Sequence, residues 1–591
     1  MDLICYNINV MKKGVLFSIL FIIILGFAAY SNSFNGKFIW DDNALIRDNL
    51  YLRSWAGAAR FFTKDTAAGG TDKLYPYRPI QMLSYAIDYS IWKLNTFGYH
   101  LVNVILHILV ALSIYWLVGI LFKDRLISFL TSVFFAVHPI HTEAVSYISG
   151  RADPLAALFM ILCVIFYIKI SDSKASYYLV PEVICYALAL LSRENSLILP
   201  LLLLLYHYIS GKRIRLKALT PILAITAIYI VIRFTVLKPP AGSLSAATLL
   251  QRLPGFFAAL AQYLKLTAFP FDLHMEYGPA LFSFSHPQVA AGIFLFTVMI
   301  ASAIANAKNN KLIFFSISWF FITLLPQSNL YPVNAYMAEH WLYLPSMGLF
   351  LLFAGGMSRL FKIRELRISA AVFTAMLLGF YTYVTIGQND YWREPIHFYE
   401  RTIRFAPDSK SAYSNLAVLY NNMGRKDIAI ALYSKALAID PSAPAPCNNL
   451  AKILGEMGRK EDALALFKRA IARNPKYAIA HNNLGNLYSD MGRSDEAIKA
   501  YRKALEIDPD MALAYNNLAN QYNALGRKAE ALELYEKSIA IDPGFAIAYN
   551  NMASVYYDTG DKDKARAMLE KAISLDPNLA TARKNLEKMD E

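Results

Sequence analysis

An apolar run extends from Gly14 to about Tyr30, and ten more follow near 99–122, 126–142, 152–170, 177–191, 195–209, 218–236, 288–306, 312–326, 341–357 and 368–387. Several are shorter than the roughly 20 residues a crossing helix needs, but together they predict a polytopic bundle of about eleven spans. The segment Leu253–Pro279 is broken by Pro254, Pro270 and Pro279 and predicts an interfacial or re-entrant helix instead. The polar stretches between the runs alternate in kind. Lys12/Lys13, Lys123/Arg125, Lys169/Lys174, Lys212 to Lys217, Lys308/Lys311 and Arg359 to Arg367 all fall on one side, which the positive-inside rule makes cytoplasmic. The first run then reads as a signal anchor with a cytoplasmic N-terminus, because no small-x-small cleavage site precedes Trp40. An odd number of spans puts the C-terminal part outside.

From about 388 the pattern changes to that of a soluble solenoid. Pro407, Pro441, Pro475, Pro509, Pro543 and Pro577 recur every 34 residues, and so do Gly424, Gly458, Gly492, Gly526 and Gly560. Ala429, Ala463, Ala497, Ala531 and Ala565 keep the period, each followed four residues on by Tyr433, Phe467, Tyr501, Tyr535 or Leu569. Small residues let paired helices approach, glycine closes the turn and proline stops the second helix. The chain is therefore predicted to be all-α. A membrane domain occupies 1–387 and a repeat domain 388–591, with a half repeat, five full repeats over 408–577 and a capping helix. Asn415, Asn449, Asn483, Asn517 and Asn551 recur within the first helices, four of them preceded by another asparagine. Such a ladder bonds either within the solenoid or, since an amide both donates and accepts, to the backbone of an extended acceptor polypeptide.

Composition supports this division. Hydrophobic residues make up 56% of the 591 positions, which requires lipid around much of the chain. The net charge of +14 sits in short inter-span clusters and gives no case for nucleic acid. Cys5, Cys163, Cys185 and Cys447 are too scattered for a disulfide framework.

The external side holds the chemistry. Asp41 and Asp42 lie in FIWDDNALIRDN, about ten residues after the first run, where a carboxylate pair is costly without a function; a solvated Asp-rich turn is the bland alternative. The same side carries Arg78, the stretch HPIHTEAVSYISGRAD with His138, His141, Glu143, Arg151 and Asp153, the SREN loop with Arg193 and Glu194, and YMAEHWLYLPS with Glu339 and His340. Charges gathered at one membrane face suggest one site, approached by a lipid-borne molecule. Structural roles compete: His138 as a helix-end donor, Arg151/Asp153 as an ion pair, and Arg193/Glu194 as a local pair. A metal beside Asp41, Asp42 and His141 is not favoured, because no compact ligand spacing supports one.

The early acidic pair, HPIHTEAV…GRAD, and a membrane half followed by repeats resemble the transmembrane-and-tetratricopeptide (TMTC) protein O-mannosyltransferases, within the GT-C glycosyltransferases. The resemblance covers essentially the whole chain and implies a GT-C-like fold. It also implies transfer of a hexose, mannose by family expectation, from a polyprenyl-phosphate donor to Ser/Thr hydroxyls of extracytoplasmic proteins by inverting single displacement. Asp41 or Asp42 would be the base, Arg78, Arg151, Arg193, His138, His141 and His340 would meet the donor phosphate, and the repeats would hold the acceptor. No resident cofactor is implied. The chain has Glu339–His340 where the family has an acid followed by arginine, which makes that donor-binding cation weaker or pH-dependent. Two other readings stay open: a membrane-anchored scaffold recruiting envelope proteins, and a polyprenyl-linked glycan polymerase or ligase. The external face would be the bacterial periplasm or, in a eukaryote, the ER lumen.

Overall fold

The computed structural model describes residues 2–53, 55–62, 76–173, 176–237, 247–278, 281–330 and 335–590. Lys174 and Pro279 lie outside them, as do the side chains of Cys5 and Lys12. Every regular element among the described residues is helical. Each of the eleven apolar runs forms a helix. Six are long and apolar enough to cross a membrane: Lys13–Asn35, Thr96–Phe122, Ile148–Asp172, Leu216–Leu237, Pro287–Asn306 and Arg364–Arg393. Arg125–Val137, Ser176–Ser192 and Lys311–Gln327 are shorter apolar helices. The chain is an all-helical membrane protein.

Local chemistry explains the short helices. The run expected over 126–142 stops at Val137, because His138 precedes Pro139 and takes an extended conformation (ψ 130°) that a helix cannot continue. The helix Leu179–Ser192 ends where Arg193 turns extended, and Leu199–Ser210 ends at Gly211 with φ 67°. The proline-broken segment forms one helix, Leu249–Ala268, packed on Pro287–Asn306. Gly292 permits that approach: a Cβ there would lie 1.9 Å from the Phe257 carbonyl oxygen.

There are two compact units: the first runs to Pro407, and the second begins at Asp408 and also takes in Asp48–Tyr51. The expected boundary at 387/388 falls inside the helix Arg367–Arg393, which carries the last apolar run without a break into its polar end. The helix Pro395–Phe405 stays with the first unit, where Phe398 stacks on Tyr391 and packs against Trp392.

In the second unit, five helix pairs run from Lys410–Asn422 to Lys562–Leu575, and Ala580–Asp590 follows. Ala429, Ala463, Ala497, Ala531 and Ala565 are wholly buried between helices. The turn glycines have φ between 72° and 89°, left-handed backbone that a side chain resists.

Candidate active site

The acidic pair sits on a strained turn. Trp40 has φ 49°, rare for a bulky residue. It is held by stacking on Tyr399 (ring centroids 6.0 Å apart), and its backbone N–H donates to the Tyr399 hydroxyl (3.0 Å). Asp42 follows, with no exposed surface. Its carboxylate accepts from the Ile39 N–H (3.1 Å), the Ser149 N–H (2.8 Å) and the Ser149 hydroxyl. Burial pushes its pKa up to about 7 despite these bonds. Asp41 is partly buried, and its backbone N–H donates to the Tyr147 hydroxyl (3.1 Å). The two neighbours thus differ: Asp42 pins one loop to another, and Asp41 is the less enclosed carboxylate.

The loop that receives Asp42 is built by polar side chains on flanking helices. Asn103, inside the apolar helix Thr96–Phe122, donates to the carbonyls of Val145 (3.1 Å) and Tyr147 (3.2 Å). Gln81 donates to the Ser149 carbonyl (2.8 Å), and Tyr85 donates to that of Ile148 (3.0 Å). At Gly150 a Cβ would lie 2.4 Å from the Glu143 carbonyl oxygen, so the glycine of GRAD is required by close packing. Arg78 precedes Gln81 by one turn and faces Glu194 with two nitrogens (3.3 and 3.4 Å). Asp42 is thus bonded to Ser149, whose carbonyl Gln81 holds, and Arg78, at the start of the same helix as Gln81, faces Glu194. Burial opposes ionisation of Glu194, but the charges of Arg78 and Arg193 outweigh it and hold its pKa at about 2.

Arg193 pairs with Asp153. Glu143 accepts from the His340 backbone N–H (2.8 Å) and lies 2.5 Å from its ring Nδ1. Asp153, Arg193 and His340 line one small cavity with Asn195, Ser196 and Gln327. Glu339 points elsewhere: it accepts from the His274 N–H (2.5 Å) and the Tyr277 hydroxyl (2.7 Å). Burial, reinforced by the nearby Glu143, holds its carboxyl well above the usual range.

Other candidates are not placed to meet a donor phosphate. Arg151 does not pair with Asp153. It is fully buried, ion-paired with Asp88 (2.6 Å), bonded to Asn103 Oδ1 (2.6 Å), Ser84 (3.1 Å) and the Tyr99 carbonyl (2.9 Å), and stacked over Tyr85. Its donors are committed to packing three helices, as a buried guanidinium requires. His138 is bonded through Nε2 to the Thr267 carbonyl (2.9 Å) and accepts from the Ile140 N–H. His141 is wholly buried, between the Phe135 carbonyl (2.8 Å) and Ser346 (2.9 Å). Both are pushed well below the ordinary imidazole value by burial, which makes them neutral braces. No group of three or more His, Cys, Asp or Glu among the described residues could hold a metal.

In the repeat unit the asparagines bond to one another. Asn483 donates to Asn448 (3.0 Å), Asn517 to Asn482 (3.1 Å), Asn551 to Asn516 (3.1 Å), and Asn585 continues the series to Asn550 (3.0 Å). Within each pair the first amide donates to the second, as Asn448 does to Asn449 (2.9 Å). Asn483, Asn517 and Asn551 are therefore ties between adjacent repeats. Asn415 is preceded by Ser414 rather than asparagine, so the paired pattern stops there.

Tetratricopeptide-repeat models match residues 411–443, 478–511 and 510–578, and a TPR repeat model matches 456–492. The protein O-mannosyl-transferase F38B6.6 of Caenorhabditis elegans is 25% identical over 430 residues, covering 69% of this chain and 60% of its own. The protein O-mannosyl-transferase TMTC1 of Homo sapiens is 27% identical over 478 residues, 68% of this chain and 53% of its own. The chain is of the TMTC type. This TMTC-type chain thus spans little more than half the length of the relatives it matches. A crystal structure of MamA is 29% identical over 28% of the chain and 96% of its own length, with a TM-score of 0.25.

Sequence reasoning missed Ser149, Tyr147, Gln81, Asn103 and Gln327. Asn103 had a legible signal, an amide inside an apolar run. Ser149 and Tyr147 lay within the quoted motif but gave no sign of reaching Asp41 and Asp42.

Proposed function

We propose that the TMTC-type chain transfers a hexose, mannose in keeping with its named relatives, from a polyprenyl-phosphate donor to Ser/Thr hydroxyls of extracytoplasmic protein. The observation that carries this is the bonding of the Asp41–Asp42 turn to Ser149, and of Ser149 to Gln81 on the helix that Arg78 begins, with Arg78 and Arg193 both acting on Glu194 and Arg193 sharing a cavity with His340. It supports a carboxylate base and fixed positive charge acting on one small reacting centre.

Asp41 is the base. It takes the proton of the acceptor hydroxyl as the oxygen bonds to the anomeric carbon. The bond from that carbon to the phosphate oxygen breaks with its electron pair, and polyprenyl phosphate departs. Phosphate is a good leaving group, so no general acid is required. Arg78 neutralises the departing charge and the His340 ring donates a hydrogen bond to it, while their partners Glu194 and Glu143 hold them in orientation. Asp42 is a positioning residue that fixes the turn presenting Asp41. The repeats hold the acceptor polypeptide on surface other than the inter-repeat asparagine ties. The donor enters from the bilayer, and the external face is the periplasmic or luminal one.

The test is the anomeric outcome. Membranes containing the full chain receive labelled β-linked polyprenyl-phosphate mannose, and the glycopeptide product is characterised. Single displacement gives α-linked mannose on Ser or Thr. A β-linked product would overturn the displacement, and no transfer of any hexose to protein would favour the scaffold.

A further inference from the structure

A groove opens at the ends of two spans remote from the acidic turn. Val15 and Ile19 of the first helix (Asp2–Tyr30) wall it together with Leu112, Trp116 and Ile120 of Thr96–Phe122. Its volume is about 480 Å³, within the range of small-molecule pockets. Trp116 is 43% exposed, so the groove is open along the apolar surface of these spans. Arg125 lines it as well, and is exposed. A Cβ on Gly14 would lie 2.6 Å from a guanidinium nitrogen of Arg125, so that charged head reaches across to the first helix, one residue before Val15. Lys13 and Lys123, both exposed, stand beside Gly14 and Arg125 in sequence. The acid between Lys123 and Arg125 is Asp124; its carboxylate accepts from the Leu126 and Ile127 N–H groups and faces Lys362 at 3.8 Å. These groups together are net cationic.

We propose that the groove binds one anionic phospholipid of the bilayer, with an acyl chain along Ile19, Leu112 and Trp116 and the headgroup phosphate on Arg125. The occupant follows from the order of the parts. A phospholipid presents hydrocarbon and then a phosphate at the membrane boundary, and the groove presents an apolar wall and then a guanidinium. Basic pockets between spans hold anionic headgroups in this way. From Leu112 to Ile120 the wall is about 12 Å long at 1.5 Å per residue, room for part of one chain. A guanidinium matches the geometry of a phosphate. Lys13 and Lys123 add positive charge that favours a net-negative headgroup over a zwitterionic one. The reacting centre proposed above is elsewhere: Asn103, which holds the Tyr147 carbonyl beside Asp41, is about 25 Å from Ile120 along the same helix. The lipid site therefore stands independently of the transfer reading.

The experiment is native mass spectrometry of the full chain, delipidated in detergent and titrated with phosphatidylglycerol or with phosphatidylcholine of the same acyl chains. Wild type should bind the first phosphatidylglycerol at least about fivefold more tightly than the first phosphatidylcholine. Arg125→Gln should remove that preference. Ile19→Trp fills the groove while keeping the cations, and should weaken the first phosphatidylglycerol to the level of the later, non-selective ones. Lys217→Gln, an exposed cation on another helix, should match wild type. Equal affinities for the two lipids in wild type would overturn the proposal, as would a preference retained in Arg125→Gln or binding unchanged in Ile19→Trp. A preference lost equally in Lys217→Gln would overturn it too, leaving only general attraction to a basic surface.

Discussion

Arg151→Met separates a structural guanidinium from a phosphate-binding one. Arg151 is wholly buried, and its removal leaves the Asp88 carboxylate, 3% exposed, without its partner. Breaking a buried pair from one side costs about 3–5 kcal/mol. Proton uptake by Asp88 limits the loss but does not restore the contacts. Removing both charges in Arg151→Met/Asp88→Leu takes away the orphaned carboxylate. What remains is about 2 kcal/mol, roughly 1 for each acceptor left behind, Asn103 Oδ1 and the Tyr99 carbonyl. Denaturant unfolding in detergent should therefore place the single variant well below wild type and the double variant between them. Transfer per folded molecule should be retained in the double variant. The reasoning is refuted if the single variant unfolds at the wild-type midpoint. It is equally refuted if the double variant is no more stable than the single, or folds but has lost transfer as a donor ligand would.

Three further outcomes follow from named residues. Asp42 keeps a proton up to about pH 7 in the folded state, whereas the unfolded chain releases it near 3.8, so stability falls as pH rises between those values, by at most roughly 4 kcal/mol; Asp42→Asn should flatten that part of the stability–pH curve. Gly492→Ala, at φ 72°, should cost about 1–2 kcal/mol by thermal melting of the repeats, while Gly455→Ala, inside the helix Pro444–Glu456 with its nearest neighbour 3.5 Å away, should be neutral or stabilising by up to about 1 kcal/mol. Asn516→Ala removes an acceptor of Asn551 and a donor to Asn517 and should destabilise by about 1–3 kcal/mol, with Asn415→Ala nearly silent in the same melting assay.

What the sequence made legible was whatever repeats or runs. The 34-residue period of proline, glycine and alanine gave the helix pairs, and the apolar runs gave eleven helices. The residues of the candidate site could be gathered because polar groups between apolar runs are few. Their partners could not be read, since pairing across loops has no period. Arg151 stands two residues from Asp153 yet reaches Asp88, because the helix Pro79–Trp92 brings an acid to its buried end. Asp41 and Asp42 are adjacent and chemically equal in sequence, and what separates them is the burial of Asp42 and its bonds to Ile39 and Ser149. The asparagine ladder showed its spacing but not its bonds, since an amide at that register serves a neighbouring repeat as readily as a ligand.

The most direct test of the account is transfer from labelled polyprenyl-phosphate mannose by wild type, Asp41→Asn and Asp42→Asn at matched expression. General-base catalysis contributes about 100- to 10,000-fold, so Asp41→Asn should lose that much in kcat with donor affinity little changed. Asp42→Asn, which perturbs the turn without removing the base, should keep measurable transfer. Wild-type rates from Asp41→Asn would contradict the account, because the acidic turn would then carry no chemistry.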